Sequence, residues 1–514
     1  MPDRPAPPAA FAAFAQALGD VAALPGRNDK ADRLGALLAD LGDDDLARAA
    51  RWAAGRVFPL SDQRTVSVGF AAIRKAVAAA SGADDDALQA ALVRLGDPGD
   101  VAAEALAERA AGRPAPPEPL TLGGAEAFFE DLAATRGSGA KAEAVAGVLG
   151  RVGPEEARYL VKLLAGDLRI GMLEGGVENA LARRYDRDLG AVKRANMLTG
   201  DVGETAVLAR HDRLDTAAMR LFHPIKFMLA TAAEASDGRT LAEDVARQIA
   251  PPFAVEDKFD GIRAQAHVQP EAEAPPAPGV EHAALHGETV EAAGGAAADA
   301  DLRVRVALFS RTLDAVTRSF PDLTGPLAAL AAAVPGGLVL DGEVVPLGEG
   351  GRLAPFQTLQ KRLGRKRVPQ ALQDEAPVGY VVYDVLAWDG QPVLDLPYRE
   401  RQALLDRLDL GRAVRRSAVA VVDDPDTLDA RFDAARARGN EGLMVKALDA
   451  PYVPGRRGRD WLKVKRRSPR STSWSRPSRW GAAGGATCSP TSRSPSARAR
   501  ATARSSTWAR RTRA

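Results

Sequence analysis

From about residue 11 to residue 215, apolar side chains recur at three- and four-residue spacing, as in Leu34, Leu37, Leu38 and Leu41 or Leu160, Leu163 and Leu164. That is the period of amphipathic helices that bury one face. The pattern predicts an all-α domain over residues 1–215, although periodicity alone fits a generic helical bundle equally well. A proline-rich break at Arg113-Pro114-Ala115-Pro116-Pro117 should divide it into two lobes, and Gly137-Ser138-Gly139 should turn the chain. After Phe222-His223-Pro224 the period shortens to β-type runs at 264–268, 304–309, 338–340 and 379–383. These predict a second, α/β domain over residues 222–467. Residues 269–300, rich in Pro, Ala, Glu and Gly, fall between two of these runs and read as a flexible surface insertion.

Composition narrows the class without naming a function. With 514 residues and 46% apolar content the chain has room for two to four ordinary globular domains. A single cysteine, Cys488, excludes an intramolecular disulfide and a cysteine-cluster zinc site. Of the five histidines only His282 and His286 have a ligand-like spacing, and both fall in the insertion, so a metal should be held by oxygen. There is no charged start followed by an apolar core and no long uncharged apolar run, so a cytoplasmic protein with no membrane partner is expected.

The net charge of +2 is misleading. Residues 468–514 hold ten arginines and no Asp, Glu or Lys, and removing those ten charges leaves −8 on the first 467 residues. A surface that faces nucleic acid must therefore be local. The same tail has no Val, Leu, Ile, Phe or Met beyond Arg467, so it cannot build a core. One reading is a basic tail that binds nucleic acid. Another is an out-of-frame translation of the last 47 residues. Written in GC-rich codons and read two bases later, the segment from Arg470 to Ser478 becomes Val-Asp-Leu-Val-Val-Ala-Ala-Glu, a credible strand. The second reading is the hypothesis preferred here, and an intact frame on resequencing would contradict it.

The sharpest chemical signal is Glu256-Asp257-Lys258-Phe259-Asp260-Gly261-Ile262-Arg263, a KxDGxR string ahead of a β-run. An unprotonated lysine amine can attack the α-phosphate of a nucleotide, and burial beside other cations favours that form. Arg263 can bond phosphate or ribose oxygens, and Gly261 permits close backbone approach. Downstream, Phe309-Ser310-Arg311 offers a second guanidinium. Leu340-Asp341-Gly342-Glu343 ends a strand with carboxylates suited to ribose hydroxyls or a divalent cation. Tyr383 offers a ring for a base. Glu441-Gly442-Leu443-Met444-Val445-Lys446 pairs a carboxylate for metal with a lysine for phosphate. In Trp461-Leu462-Lys463-Val464-Lys465 the alternation puts Lys463 and Lys465 on one strand face, where two ammonium groups can stabilise a triphosphate and its leaving pyrophosphate. Taken singly, the strings at Phe309, Leu340 and Tyr383 read more readily as plain strand than as site.

In this order the strings resemble the nucleotidyltransferase motifs shared by ATP-dependent DNA ligases, RNA ligases and mRNA capping enzymes, over about residues 222–467. The resemblance implies an ATP-grasp-like adenylation domain in which Lys258 is adenylated by ATP. It implies that Glu256 and Arg263 contact adenine and ribose, Arg311 the nucleotide, and Glu343 and Glu441 the sugar and Mg2+. Tyr383 would stack on adenine, while Lys446, Arg457, Lys463 and Lys465 would hold phosphates. The strings 164–172 and 198–204, with His223-Pro224-Ile225-Lys226-Phe227-Met228 at the junction, resemble the DNA-binding domain of archaeal and eukaryotic replicative ligases and their bacterial relatives. The family so implied seals nicks in double-stranded DNA. A monomer is expected, and a sliding clamp is left open. The family's C-terminal oligonucleotide-binding (OB) β-barrel has no match in residues 468–514, where it reads as missing or scrambled. The alternatives are an RNA-directed nucleotidyltransferase and a catalytically inactive DNA-binding remnant.

Overall fold

The computed structural model describes residues 9–110, 118–233, 240–271, 288–292, 302–365 and 367–465. Two units separate, Met1–Arg466 and Arg467–Ala514. The tail, Cys488, His282, His286 and the 113–117 break lie outside the described residues, and with them the readings made of the frame and of the β-barrel.

Helices run from Phe11–Ala23 to Val202–Arg210 around one hydrophobic core. Trp52 sits at its centre, with its ring 5.6–6.0 Å from those of Phe11, Phe14 and Phe129. The expected division into two lobes is not found. Val101 and Leu106 before the proline-rich break share this core with Leu122 and Phe129 after it, because the helices Pro98–Ala110 and Phe11–Ala23 both pack on Pro154–Ala165. Gly137 does turn the chain, with φ of 88°, and a helix starts directly at Ser138.

Local signals explain the two strings that resemble a DNA-binding domain. Gly200, at φ 67°, ends the helix Leu189–Thr199 in the left-handed conformation that glycine adopts without steric cost. Asp201 then caps the next helix by accepting from the Gly203 and Glu204 amides at 3.0 and 3.3 Å. Its carboxylate is also gripped by Arg51 at 3.0 and 2.7 Å. In the other string Gly166 closes the helix Pro154–Ala165, and Lys30 donates to the Ile170 carbonyl at 2.6 Å.

The second region is built on twelve strands among the described residues: β1 Leu229–Ala233, β2 Phe253–Lys258, β3 Ile262–Pro270, β4 Glu288–Ala292, β5 Leu302–Ser310, β6 Leu338–Pro346, β7 Val378–Trp388, β8 Gln391–Pro392, β9 Val414–Arg416, β10 Val419–Val422, β11 Gly442–Ala447 and β12 Arg457–Val464. They form one sheet ordered β1-β12-β11-β2-β10 and another ordered β4-β5-β3-β6-β7-β8, with β9 beside β7. All four β-runs read from the sequence are strands here. The stretch 269–300 is corrected in part: Gln269 and Pro270 finish β3, and Glu288–Ala292 is a strand antiparallel to β5. Apart from Glu271, the rest of that stretch lies outside the described residues.

Each sheet buries one face on its own helices. Phe253, Val255, Leu443, Val445, Leu462 and Val464 point to one core, and Ala264, Ala266, Leu340, Val344, Tyr380 and Val382 to another. Because side chains alternate along a strand, the intervening residues gather on the opposite faces. Trp461 of β12 packs there with Val339 of β6 and Leu386 of β7, so the two free faces meet, and Leu198 of the helical region joins the same cluster.

Candidate functional site

Lys258 is the last residue of β2, and β3 begins four residues later in the other sheet, so Lys258 lies where the chain crosses between sheets. The crossing depends on Gly261: a Cβ there would lie 2.3 Å from the Val344 carbonyl oxygen and 2.8 Å from Glu343 Cγ. The close approach is thus to β6 of the protein itself.

Glu441, ahead of β11, donates its amide to the Lys258 carbonyl at 2.8 Å and takes Lys258 Nζ on its carboxylate at 2.8 Å. Lys465 pairs with the same oxygen. Burial opposes charge on Glu441, but the hydrogen bonds from Lys258 and Lys465 override it and bring its carboxyl down to about 2. Asp260 is hydrogen-bonded to Glu441, and burial followed by that neighbour raises its carboxyl above the usual range. Lys463 completes the group: burial, then the charges of Arg457, Lys465, Lys258 and Arg311, lower its ammonium. Five of the predicted cations therefore act on one region. Arg311 is exposed, just past the end of β5. Arg457 also lines a surface hollow with Arg247, Arg456 and Arg459.

Behind this cluster the site is buried and internally paired. Arg263 grips Asp341 through two hydrogen bonds, at 3.1 and 2.7 Å, and gives a third to the Met228 carbonyl at 2.8 Å. Asp341 also accepts from Tyr452 Oη at 2.8 Å. The guanidinium lies 4.6 Å from the Phe227 ring and 5.7 Å from that of Tyr383. Glu343 faces Arg263 across β3 and β6, and burial pushes its carboxyl up to about 7 despite the nearby Arg263 and Lys258. Asp341 and Glu343 stand in the middle of β6 and not at its end, as the sequence had suggested.

Lys446 is fully buried and pairs with Glu256 at 2.6 Å, and Tyr398 donates to the same carboxylate oxygen at 2.5 Å. The ammonium is ringed by Trp461, Tyr398 and Tyr383 at 4.3, 4.8 and 5.0 Å. Lys446 thus belongs to the buried Glu256 corner. The Tyr383 ring lies within reach of both the Arg263 and the Lys446 cations.

Asp260, Tyr398 and Tyr452 carry this arrangement without having been assigned roles from the sequence, and Asp341, read there as a carboxylate for ribose hydroxyls or a cation, is the partner of Arg263. Asp260 and Asp341 stand inside strings already singled out. Tyr398 and Tyr452 carry no local signal, because each is defined by a partner more than a hundred residues away. Among the described residues no group of three or more His, Cys, Asp or Glu side chains gathers as a metal site, and no helix is long and apolar enough to cross a membrane.

Comparison with known proteins gives this geometry a family. Residues 10–182 match the family described as DNA ligase N terminus, and residues 301–465 match ATP dependent DNA ligase domain. The chain is 40% identical over 448 residues to the "Probable DNA ligase" of Koribacter versatilis, covering 82% of this chain and 69% of that protein. It is 34% identical to the DNA ligase of Halorubrum lacusprofundi, covering 88% and 78%. The solved structure Pmar-Lig_PreS3 shares the fold with a TM-score of 0.51 at 16% identity, over 88% of this chain and 78% of that one. With both family matches in order and relatives aligned over most of their length, the chain belongs to the ATP-dependent DNA ligases.

Proposed function

We propose that Lys258 is the residue that carries AMP, and that the cations around it serve ATP and then the 5′-phosphate of a nick in double-stranded DNA. The observation that carries this is the convergence of Lys258, Lys463, Lys465, Arg311 and Arg457 on one region at the junction of the sheets. Positive charge gathered in a partly desolvated site stabilises the charge that develops on phosphoryl oxygens.

Lys258 Nζ attacks the α-phosphorus, a P–N bond forms, and the bond to the bridging oxygen breaks to release pyrophosphate. Glu441, in contact with Nζ, orients the amine, whose proton leaves to solvent, and Asp260 stands beside Glu441. Lys463 and Lys465 face the leaving pyrophosphate. AMP then passes to the DNA 5′-phosphate, and the 3′-hydroxyl displaces it. Tyr383 forms a flat wall for adenine, with Glu256 and Arg263 at its edge toward base and ribose. Lys446, held on Glu256, fixes that edge, and a phosphate contact from it requires the pair to open.

The donor set fits Mg2+. Glu343 and Glu441 both act on Lys258, and two carboxylates completed by substrate phosphates are what this hard cation takes. Burial pushes the Glu343 carboxyl up to about 7 even with Arg263 and Lys258 nearby, so an added cation would favour its ionised form. When bound, the ion neutralises phosphate charge. The helical region would contact duplex backbone phosphates rather than base edges.

Sealing of a nicked DNA duplex with ATP and magnesium tests the reading. Ligation of DNA, with an RNA nick joined far more slowly, is expected. Labelling with GTP in place of ATP, or a preference for RNA ends, would contradict it.

A further inference from the structure

The helical and catalytic regions touch at a point that neither region's own fold requires. Gln63 lies in the connector between the helices Asp43–Ala53 and Phe70–Ser81. Its side-chain amide reaches the turn that follows β5: Nε2 donates to the Leu313 carbonyl at 3.2 Å, and Oε1 accepts from the Ala315 amide at 2.8 Å. One side chain thus supplies both the donor and the acceptor that a neighbouring strand would. The same Nε2 donates to the Leu60 carbonyl at 3.0 Å, and the Leu60 amide donates to the Gly200 carbonyl at 3.2 Å. The connector is therefore anchored to its own region as well.

The turn it grips is that of Arg311. Leu313 has φ of 70°, a left-handed conformation that a residue with a Cβ adopts at a steric cost, and its side chain is buried. Ser310, Thr312 and Asp314 tie the turn internally, with Ser310 Oγ 3.0 Å from Thr312 Oγ1 and the Ser310 amide donating to the Asp314 carbonyl at 2.9 Å. A strained conformation persists only where its surroundings fix it. Here Gln63 supplies side-chain hydrogen bonds from outside the turn, at Leu313 and Ala315, close in the chain to the Arg311 guanidinium that acts on the lysine cluster.

We propose that Gln63 is a positioning residue for the adenylation reaction: through it the helical region sets the turn that aims Arg311 at the nucleotide. This rests on the reading of Arg311 as nucleotide-directed. The helical region then serves the first chemical step, which involves no DNA, as well as DNA binding.

Self-adenylation of the full chain, followed against ATP concentration, tests this with Gln63→Ala, Gln63→Glu, Arg311→Ala and the Gln63→Ala/Arg311→Ala double variant. Arg311→Ala should raise the half-saturating ATP concentration. Gln63→Ala should raise it about three- to tenfold, the effect of one or two net hydrogen bonds, with little change in unfolding midpoint. The double variant should match Arg311→Ala alone. Gln63→Glu keeps size and shape but sets a carboxylate against the Leu313 carbonyl, so it should resemble Gln63→Ala. A Gln63→Glu protein that behaves as wild type would mean the residue only fills space, and would overturn the proposal. So would full additivity, or a wild-type Gln63→Ala beside an impaired Arg311→Ala, with the role of Arg311 intact. A wild-type Arg311→Ala would remove the nucleotide reading of Arg311 and this proposal with it.

Discussion

Lys446 and Glu256 form an ion pair with almost no solvent contact, 1% and 2% exposed. Attraction in such a place roughly offsets desolvation, but removing one partner strands a buried charge and costs about 3–5 kcal/mol. Lys446→Ala should therefore lower denaturant-unfolding stability by about that much, whereas Lys446→Met combined with Glu256→Leu should lose much less. An equal loss in both would contradict the pairing. Glu343 makes a different prediction. Its folded carboxyl, at about 7, lies above its unfolded value, so its contribution to stability is present at low pH and is lost as pH rises toward 7. A cation that prefers the ionised form should gain over the same window. The magnesium concentration that half-saturates self-adenylation should fall as pH rises to about 7 and then level off, and Glu343→Gln should flatten that dependence. A wild-type profile without slope would remove Glu343 as a ligand.

At the scale of elements, the proposed adenylation depends on the junction of β2 and β3, where Lys258 ends one strand and Ile262 begins the next. Gly261→Ala would drive a Cβ into the Val344 carbonyl. The strands must separate, at a cost of about 1–3 kcal/mol, and Lys258 moves with them. The variant should fold with a lowered midpoint and lose self-adenylation out of proportion, and normal adenylation would show that the junction tolerates displacement. The sequence made this junction visible because β-runs alternate with a period of two and KxDGxR stands between them. The same alternation put Lys463 and Lys465 on one face, where both now act at the Lys258 cluster. The strand Glu288–Ala292 was hidden, since its pairing with β5 and its contact with the helix Thr324–Ala328 leave no local signal and its flanks are rich in Pro, Ala and Gly. Asp341 was visible as a carboxylate but not as the partner of Arg263, a relation across 78 residues of chain. The single helical core was missed because a proline-rich break reports local backbone, not what packs on either side of it.

For the whole molecule, the balance of charge sets how it meets DNA. The first 467 residues carry a net −8, so binding must come from local clusters of arginine and lysine acting against an unfavourable background. Electrostatic binding of this kind weakens steeply with salt. The apparent affinity for nicked duplex should fall log-linearly with ionic strength, while the adenylation step, which involves no DNA, should change far less. A parallel decline of both would contradict a separate DNA surface.

The central claim is that Lys258 becomes covalently joined to AMP. Wild-type protein and Lys258→Ala should be incubated with α-labelled ATP and magnesium, denatured, and assayed for bound label before and after acid treatment. Label that survives denaturation, is lost in acid and is absent from Lys258→Ala is the predicted result. Equal label on the variant would place the nucleotide elsewhere and contradict the account.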